Sequence, residues 1–200
     1  MSLLNGSGRA PFAANRKAVS GVCLAAACAL LLAGRVETAA QSAIPPEYQV
    51  KAAFLFRFSQ FTQWPLEAFA GAGSPLVIGI LGEDPFREFL DDIVRGEQVQ
   101  ERPFVIQRYR RLAEMKTCHV LFISRSENSR IDQILAGLRD RPILTVCEVE
   151  GFTTRGGMIE FVSHEGKIRL RINPTAAKSV GLTISSKLLR PAEIVETGKG

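Results

Sequence analysis

The sequence predicts an α/β fold: a mainly parallel sheet flanked by helices on both faces, with a C-terminal antiparallel β-hairpin at one edge. Three observations lead there. PLVIGILG and CHVLFIS are continuous apolar runs, the pattern of strands buried on both faces. Segments with helix start and stop signals alternate with them. Beyond residue 157 the apolar period changes to two, in two runs joined by the four residues HEGK.

Taken in order, residues 48–63 form a helix stopped before Pro65, and 75–82 form a strand. Residues 84–96 form a helix with Asp84 as N-cap, Pro85 in the first turn and Gly96 as stop. Strands follow at 103–109 and 118–124, then a helix at 126–139 capped by Ser126 or Ser129, then a strand at 142–148. The hairpin pairs 158–163 with 167–172, and Gly166 supplies positive φ in its turn. Asn173-Pro174 opens a helix that Gly181 ends, and a last short helix from Ser185 or Ser186 stops at Pro191.

The first forty residues differ from the rest. Arg9, Arg16 and Lys17 precede a twelve-residue apolar run, VCLAAACALLLA, and small residues lead up to Gln41. This is the layout of a secretory signal peptide over 1–40, cleaved near Ala40-Gln41. An uncleaved anchor normally needs about 20 apolar residues. A single domain over 41–195 and a frayed tail over 196–200 are expected to remain. The signal carries 4 of the 25 Lys/Arg and 1 of the 20 Asp/Glu, which leaves 21 minus 19, or +2. The basic residues are scattered, so nucleic acid is set aside as a partner.

The stretch EYQVKAAFLFRFSQFTQWP holds four phenylalanines, a tyrosine and the only tryptophan. At 100° per residue, Val50, Phe54, Phe58 and Phe61 share an arc of about 80°, the expected core stripe. Phe56 points nearly opposite. Lys51, Arg57, Gln60 and Gln63 interrupt any membrane span. Phe56 is therefore either a surface aromatic or a contact for a second protein.

Catalytic constellations are absent. His119 opens a buried strand and His164 sits in the hairpin turn. There is no HExxH, CxxC, GxSxG or P-loop. Glu83 and Asp84 stand where a phosphate would lie at the next helix start and oppose an anion there. No cofactor, metal or catalytic residue is expected. Cys118 and Cys147 are offset along their strands and read as buried free thiols.

The set EYQVKAAFLFRFSQFTQWP, VIGILGEDPF, CHVLFIS, ILTVCEVEGF, GGMIEFV, RLRIN and GLTISSKLLRPAEIV resembles the YfiR family of periplasmic proteins, across nearly all of 47–195. The resemblance implies a dimeric repressor that binds the periplasmic domain of an inner-membrane diguanylate cyclase, lowering cyclic di-GMP and restraining biofilm formation. It also implies an outer-membrane lipoprotein that titrates the repressor away. Gly79 stands where some relatives carry a cysteine, which leaves Cys118 without the family's disulfide partner. Arg57 and Glu160 stand where relatives tend to have asparagine, and Pro191 interrupts the last apolar segment.

Leu182, Ile184, Leu188 and Leu189 are more apolar side chains than so short a segment hides alone. Leu182, Ile184 and Leu189, together with Glu160 and Phe152, are therefore the expected contact surface, with Phe56 as the rival. A second reading is a small-ligand sensor or carrier whose pocket lies at the carboxyl ends of the strands, around Gly82 and Ser124. A hydrolase is the third and weakest, since no base stands beside a nucleophile.

Overall fold

The computed structural model describes residues 44–195. The expected signal segment and the tail over 196–200 lie outside the described residues. Helix α1 (Pro46–Phe61) starts with Pro46 in its first turn, where a missing N–H costs nothing, and ends as Thr62 turns extended. It leads into β1 (Thr62–Gln63). The large sheet contains β2 (Leu76–Leu81), β3 (Gln98–Val99), β4 (Arg102–Tyr109), β5 (Val120–Ile123), β6 (Leu144–Cys147), β7 (Ile159–His164), β8 (Lys167–Ile172) and β10 (Glu193–Ile194). Their order is β10-β8-β7-β6-β5-β2-β4-β3.

The sheet is mixed. From β4 through β2, β5 and β6 to β7, neighbours run parallel. β7 and β8 form the antiparallel hairpin, and β3 lies antiparallel on β4. The hairpin is not outermost as expected. β10 runs parallel to β8 and pairs with Arg171 and Ile172. Residues 167–170 of β8 have no outer strand neighbour among the described residues. The hairpin turn is also tighter than HEGK suggests. His164 pairs with Lys167, and Glu165 (φ 50°) and Gly166 (φ 72°) alone make the turn. Positive φ at both positions matches the twist of the strands it joins.

Strand alternation divides the core in two. Ile78, Ile80, Val120, Phe122, Leu144 and Val146 face α1, α2 (Glu88–Val94), α4 (Pro174–Ser179) and α5 (Ser186–Leu189). Leu81, Leu121, Ile123 and Cys147 face the other way, toward α3 (Ile131–Gly137). That second face is covered by one seven-residue helix and by loops.

Three expected elements change on packing. The helix over 84–96 begins only at Glu88, because Arg87 has φ 51°. Asp84 accepts the N–H groups of Phe86 and Arg87 and closes a tight turn instead of capping a helix. That turn inserts Phe86 into the core, edge-on to Phe122 at 4.8 Å. The helix over 126–139 is a 3₁₀ segment, Arg125–Arg130, followed by α3, and its cap is Ser124. The aromatic helix is turned relative to its expected stripe. Its buried residues are Lys51, Ala52, Leu55, Phe58 and Ser59, while Val50 is 46% exposed. On a 100° wheel the buried arc is rotated by about 100° from the expected one. Covalent periodicity fixes relative angles, but α2 on one flank and β8 with α5 on the other set the absolute phase.

At the amino end of the sheet His119 is buried and fully engaged. Its Nδ1 accepts the Val77 N–H, and its Nε2 lies 3.1 Å from the Ala68 carbonyl, to which it donates. The ring stacks on Phe69 at 4.4 Å, and the Arg102 guanidinium covers the far face of Phe69 at 3.8 Å. Burial, with Arg102 nearby, holds the imidazole below its ordinary 6.5, although the Ala68 carbonyl opposes this. The unfolded chain takes up a proton as pH falls below 6.5, while the folded chain resists it. This contribution to stability is therefore present above 6.5 and lost progressively from there down to the folded value. Urea midpoints should fall between pH 7.5 and 5.5, and His119→Gln should flatten that slope. An equal slope in the variant would place the acid sensitivity elsewhere.

Candidate partner-binding surface

Four of the six residues expected at a contact surface lie inside the chain. Phe152 is fully buried, in the core that faces α3. A Cβ on Gly157 would run into its ring, so that glycine admits Phe152, while Gly156 serves the backbone at φ 99°. Glu160, 1% exposed, is a clamp. Its carboxylate accepts the N–H groups of Gly151 (3.3 Å) and Thr153 (3.2 Å), the Thr153 hydroxyl (3.1 Å) and Arg171 Nη1 (3.3 Å). It thereby holds the loop that carries Phe152. Asn173 completes the same corner, donating to the Thr153 carbonyl while its Oδ1 caps α4.

Leu182 and Ile184 are also in the core. The C-terminal segment does not stand alone. β9 (Thr183–Ile184) pairs antiparallel with β1, Thr62 opposite Ile184 and Gln63 opposite Thr183. α5 then packs on α1, capped by the Ser185 hydroxyl. Leu189 is half-buried against this core. Phe56 is half-buried too, with its ring 5.3 Å from Phe104.

Three large apolar side chains project among the described residues, Val50 at 46%, Ile194 at 45% and, furthest of all, one that the sequence does not single out. Leu66 is 84% exposed. Trp64 is anchored by its indole N–H on the His119 carbonyl (3.2 Å), and Pro65 packs against Gly181. Leu66 therefore stands three residues beyond the β1–β9 pair, on a turn anchored by Trp64 and Pro65. A lone leucine after proline carries no periodic signal, so nothing in the sequence marks it.

A second feature hidden in the sequence is an interior charge cluster at the carboxyl end of the sheet. Lys51 is 1% exposed. It bridges Glu47 (2.5 Å) and the carboxylate of Glu148, whose side chain is 3% exposed. Tyr48 donates to Glu148 at 3.1 Å, and Arg125 approaches it at 3.8 Å. Burial first, and the Glu148 charge second, push the Tyr48 phenol up to about 12. The sequence marks Lys51 only as an interruption of a membrane span, and in the fold its ammonium lies among Tyr48 and Phe161.

The crevice between β2 and β5, where the strand order reverses, is filled. A Cβ on Gly82 (φ 92°) would collide with Ser126 and Glu127. The Ser126 hydroxyl accepts the Glu83 N–H. Room for a ligand at Gly82 and Ser124 is taken up by the protein itself. Among the described residues there is no group of three or more His, Cys, Asp or Glu placed to hold a metal ion, and no helix is long and apolar enough to cross a membrane.

The geometry defines an α/β protein on a mixed sheet, with its interior charges spent on holding loops and helix α1 in place. A family model described as YfiR/HmsC-like matches residues 48–193, and the chain belongs to that family. No curated protein matches it. Among solved structures, the crystal structure of the ABC domain in complex with L-Trp from Streptococcus pneumonia is similar at 12% identity and TM-score 0.45, over 60% of this chain and 55% of that one. The chain thus spans little more than half of that structure, and so slight a likeness transfers nothing.

Proposed function

We propose that this protein is a periplasmic regulator that binds the periplasmic domain of an inner-membrane diguanylate cyclase and holds it inactive, lowering cyclic di-GMP and biofilm formation. The observation that carries this reading is the family match over 48–193. The signal-like first forty residues agree with export to the periplasm. Control of this kind needs only a higher affinity for the cyclase's inactive state, with no chemistry in the regulator. A homodimer, and an outer-membrane lipoprotein that competes for the regulator, belong to the same reading.

For the contact surface we favour Leu66 and the adjoining C-terminal segment, with Leu189 at its margin and Phe56 as the rival. Exposure favours Leu66: an apolar side chain 84% exposed on an anchored turn is a ready anchor for a partner. Leu66→Asp should leave the melting curve unchanged and weaken capture of the cyclase's periplasmic domain by roughly tenfold or more. Ile184→Asp should instead lower stability, because Ile184 is core. Normal repression by a folded Leu66→Asp variant would remove this surface. Loss of repression by Phe56→Ala, with a native melting curve, would move the contact to helix α1. If the wild-type chain captures no cyclase domain at all, the regulator reading itself fails.

A further inference from the structure

Beyond the partner surface, the face that carries α3 contains a groove of about 590 Å³ between that helix and the loop after β4. This is within the usual range for a small-molecule site. Leu81, Leu112, Met115 and Ile134 give it an apolar floor. Its rim is basic. Arg111 is engaged by Glu114 (3.0 Å), and Arg130 by Glu127.

Arg141, also on the rim, is different. Its guanidinium has no ion pair among the described residues. It is half-buried all the same. The other half-buried arginines are satisfied. Arg102 donates to the Gly71 and Ser74 carbonyls, and Arg171 meets Glu160 and Glu193. A guanidinium that no carboxylate of the described residues engages, on the rim of an apolar groove, is available to an anion from solution. One guanidinium matches one planar carboxylate through two parallel N–H···O bonds.

We propose that this groove binds a small amphipathic carboxylate, with its apolar tail on the Leu81–Met115–Ile134 floor and its carboxylate on Arg141. The proposal does not depend on the cyclase, and its readouts do not involve it.

Calorimetric titration of the full chain with octanoate tests it, with acetate and octyltrimethylammonium as matched probes lacking the tail or the anion. Octanoate should bind at least tenfold more tightly than either. Arg141→Gln should weaken octanoate about ten- to a hundredfold, since a charge-assisted pair is lost. Ala113→Trp, at an exposed position on the groove wall, should block it without touching Arg141. Equal binding of acetate or of octyltrimethylammonium, or wild-type affinity in either variant, would overturn the proposal. Should Arg141→Gln fail to fold, the Ala113→Trp result and the matched probes decide alone.

Discussion

Lys51→Met is expected to cost about 3–5 kcal/mol of stability, because it strands a buried carboxylate. Glu148 would keep only the Tyr48 hydroxyl at 3.1 Å and Arg125 at 3.8 Å. Neither replaces an ammonium that lies within the core and also holds Glu47. The double variant Lys51→Met, Glu148→Leu should recover much of the loss, since removing both charges also removes their desolvation cost. Urea unfolding of the two variants checks this. A loss below about 1 kcal/mol in the single variant would mean that Glu148 reaches water past Arg125, and the cluster would then be a surface pair in effect.

The second large effect is expected at Gly79. A Cβ built there would lie 2.8 Å from Cys118 Sγ, 2.8 Å from the Tyr109 ring and 3.1 Å from Leu121 Cδ1. Gly79→Ala should therefore overpack the sheet and cost about 1–3 kcal/mol. Gly79→Cys should behave differently, because its sulfur can bond to the Cys118 sulfur that an alanine would only collide with. A disulfide between strands β2 and β5 closes a loop of about forty residues and contributes about 4 kcal/mol in the chain-entropy model. The bond should form during folding, because burial pushes the Cys118 thiol up to about 12 and leaves it unreactive once packed. In the Gly79→Cys variant, denaturing alkylation without reductant should then label Cys147 but not Cys118, and adding reductant should lower the urea midpoint. Labelling of Cys118 would show that the bond does not form. In the natural sequence Cys118 and Cys147 are both free. Cys147 pairs with Ile123, five positions beyond Cys118 and roughly 16 Å along the strand.

The parts of this fold that were legible are those written in neighbouring residues. The buried strands follow from PLVIGILG and CHVLFIS, the hairpin from its alternation, and the caps at Asn173 and Ser185 from single side chains. What could not be read depends on partners far along the chain. The phase of α1 depends on α2 and β8. Nothing in the sequence marks Lys51 as buried until Glu148 is placed beside it. Glu160, on the edge hairpin, is expected from the sequence to join the contact surface. The structure gives that position to holding Gly151 and Thr153, a task for which a carboxylate's several acceptor sites suit it. Leu182 and Ile184 are too apolar for so short a segment to hide alone, and β1 and α1 cover them. Leu66 was invisible because exposure is a property of the fold and not of a residue and its neighbours.

The span of the charge cluster has a consequence for the time course of folding. Lys51 and Glu148 are 97 residues apart, Tyr48 and Glu148 100, and Glu47 and Ser163 116. A chain made from its amino end at about 5–20 residues per second waits roughly 5–20 s between the appearance of Lys51 and that of its counter-ion. Within that interval β2 and β5, against which α1 packs, are made, but its lysine lacks its buried counter-ion and must stay hydrated. Among the described residues the first helix is thus fully locked only once β6 and the Glu148 that follows it have arrived.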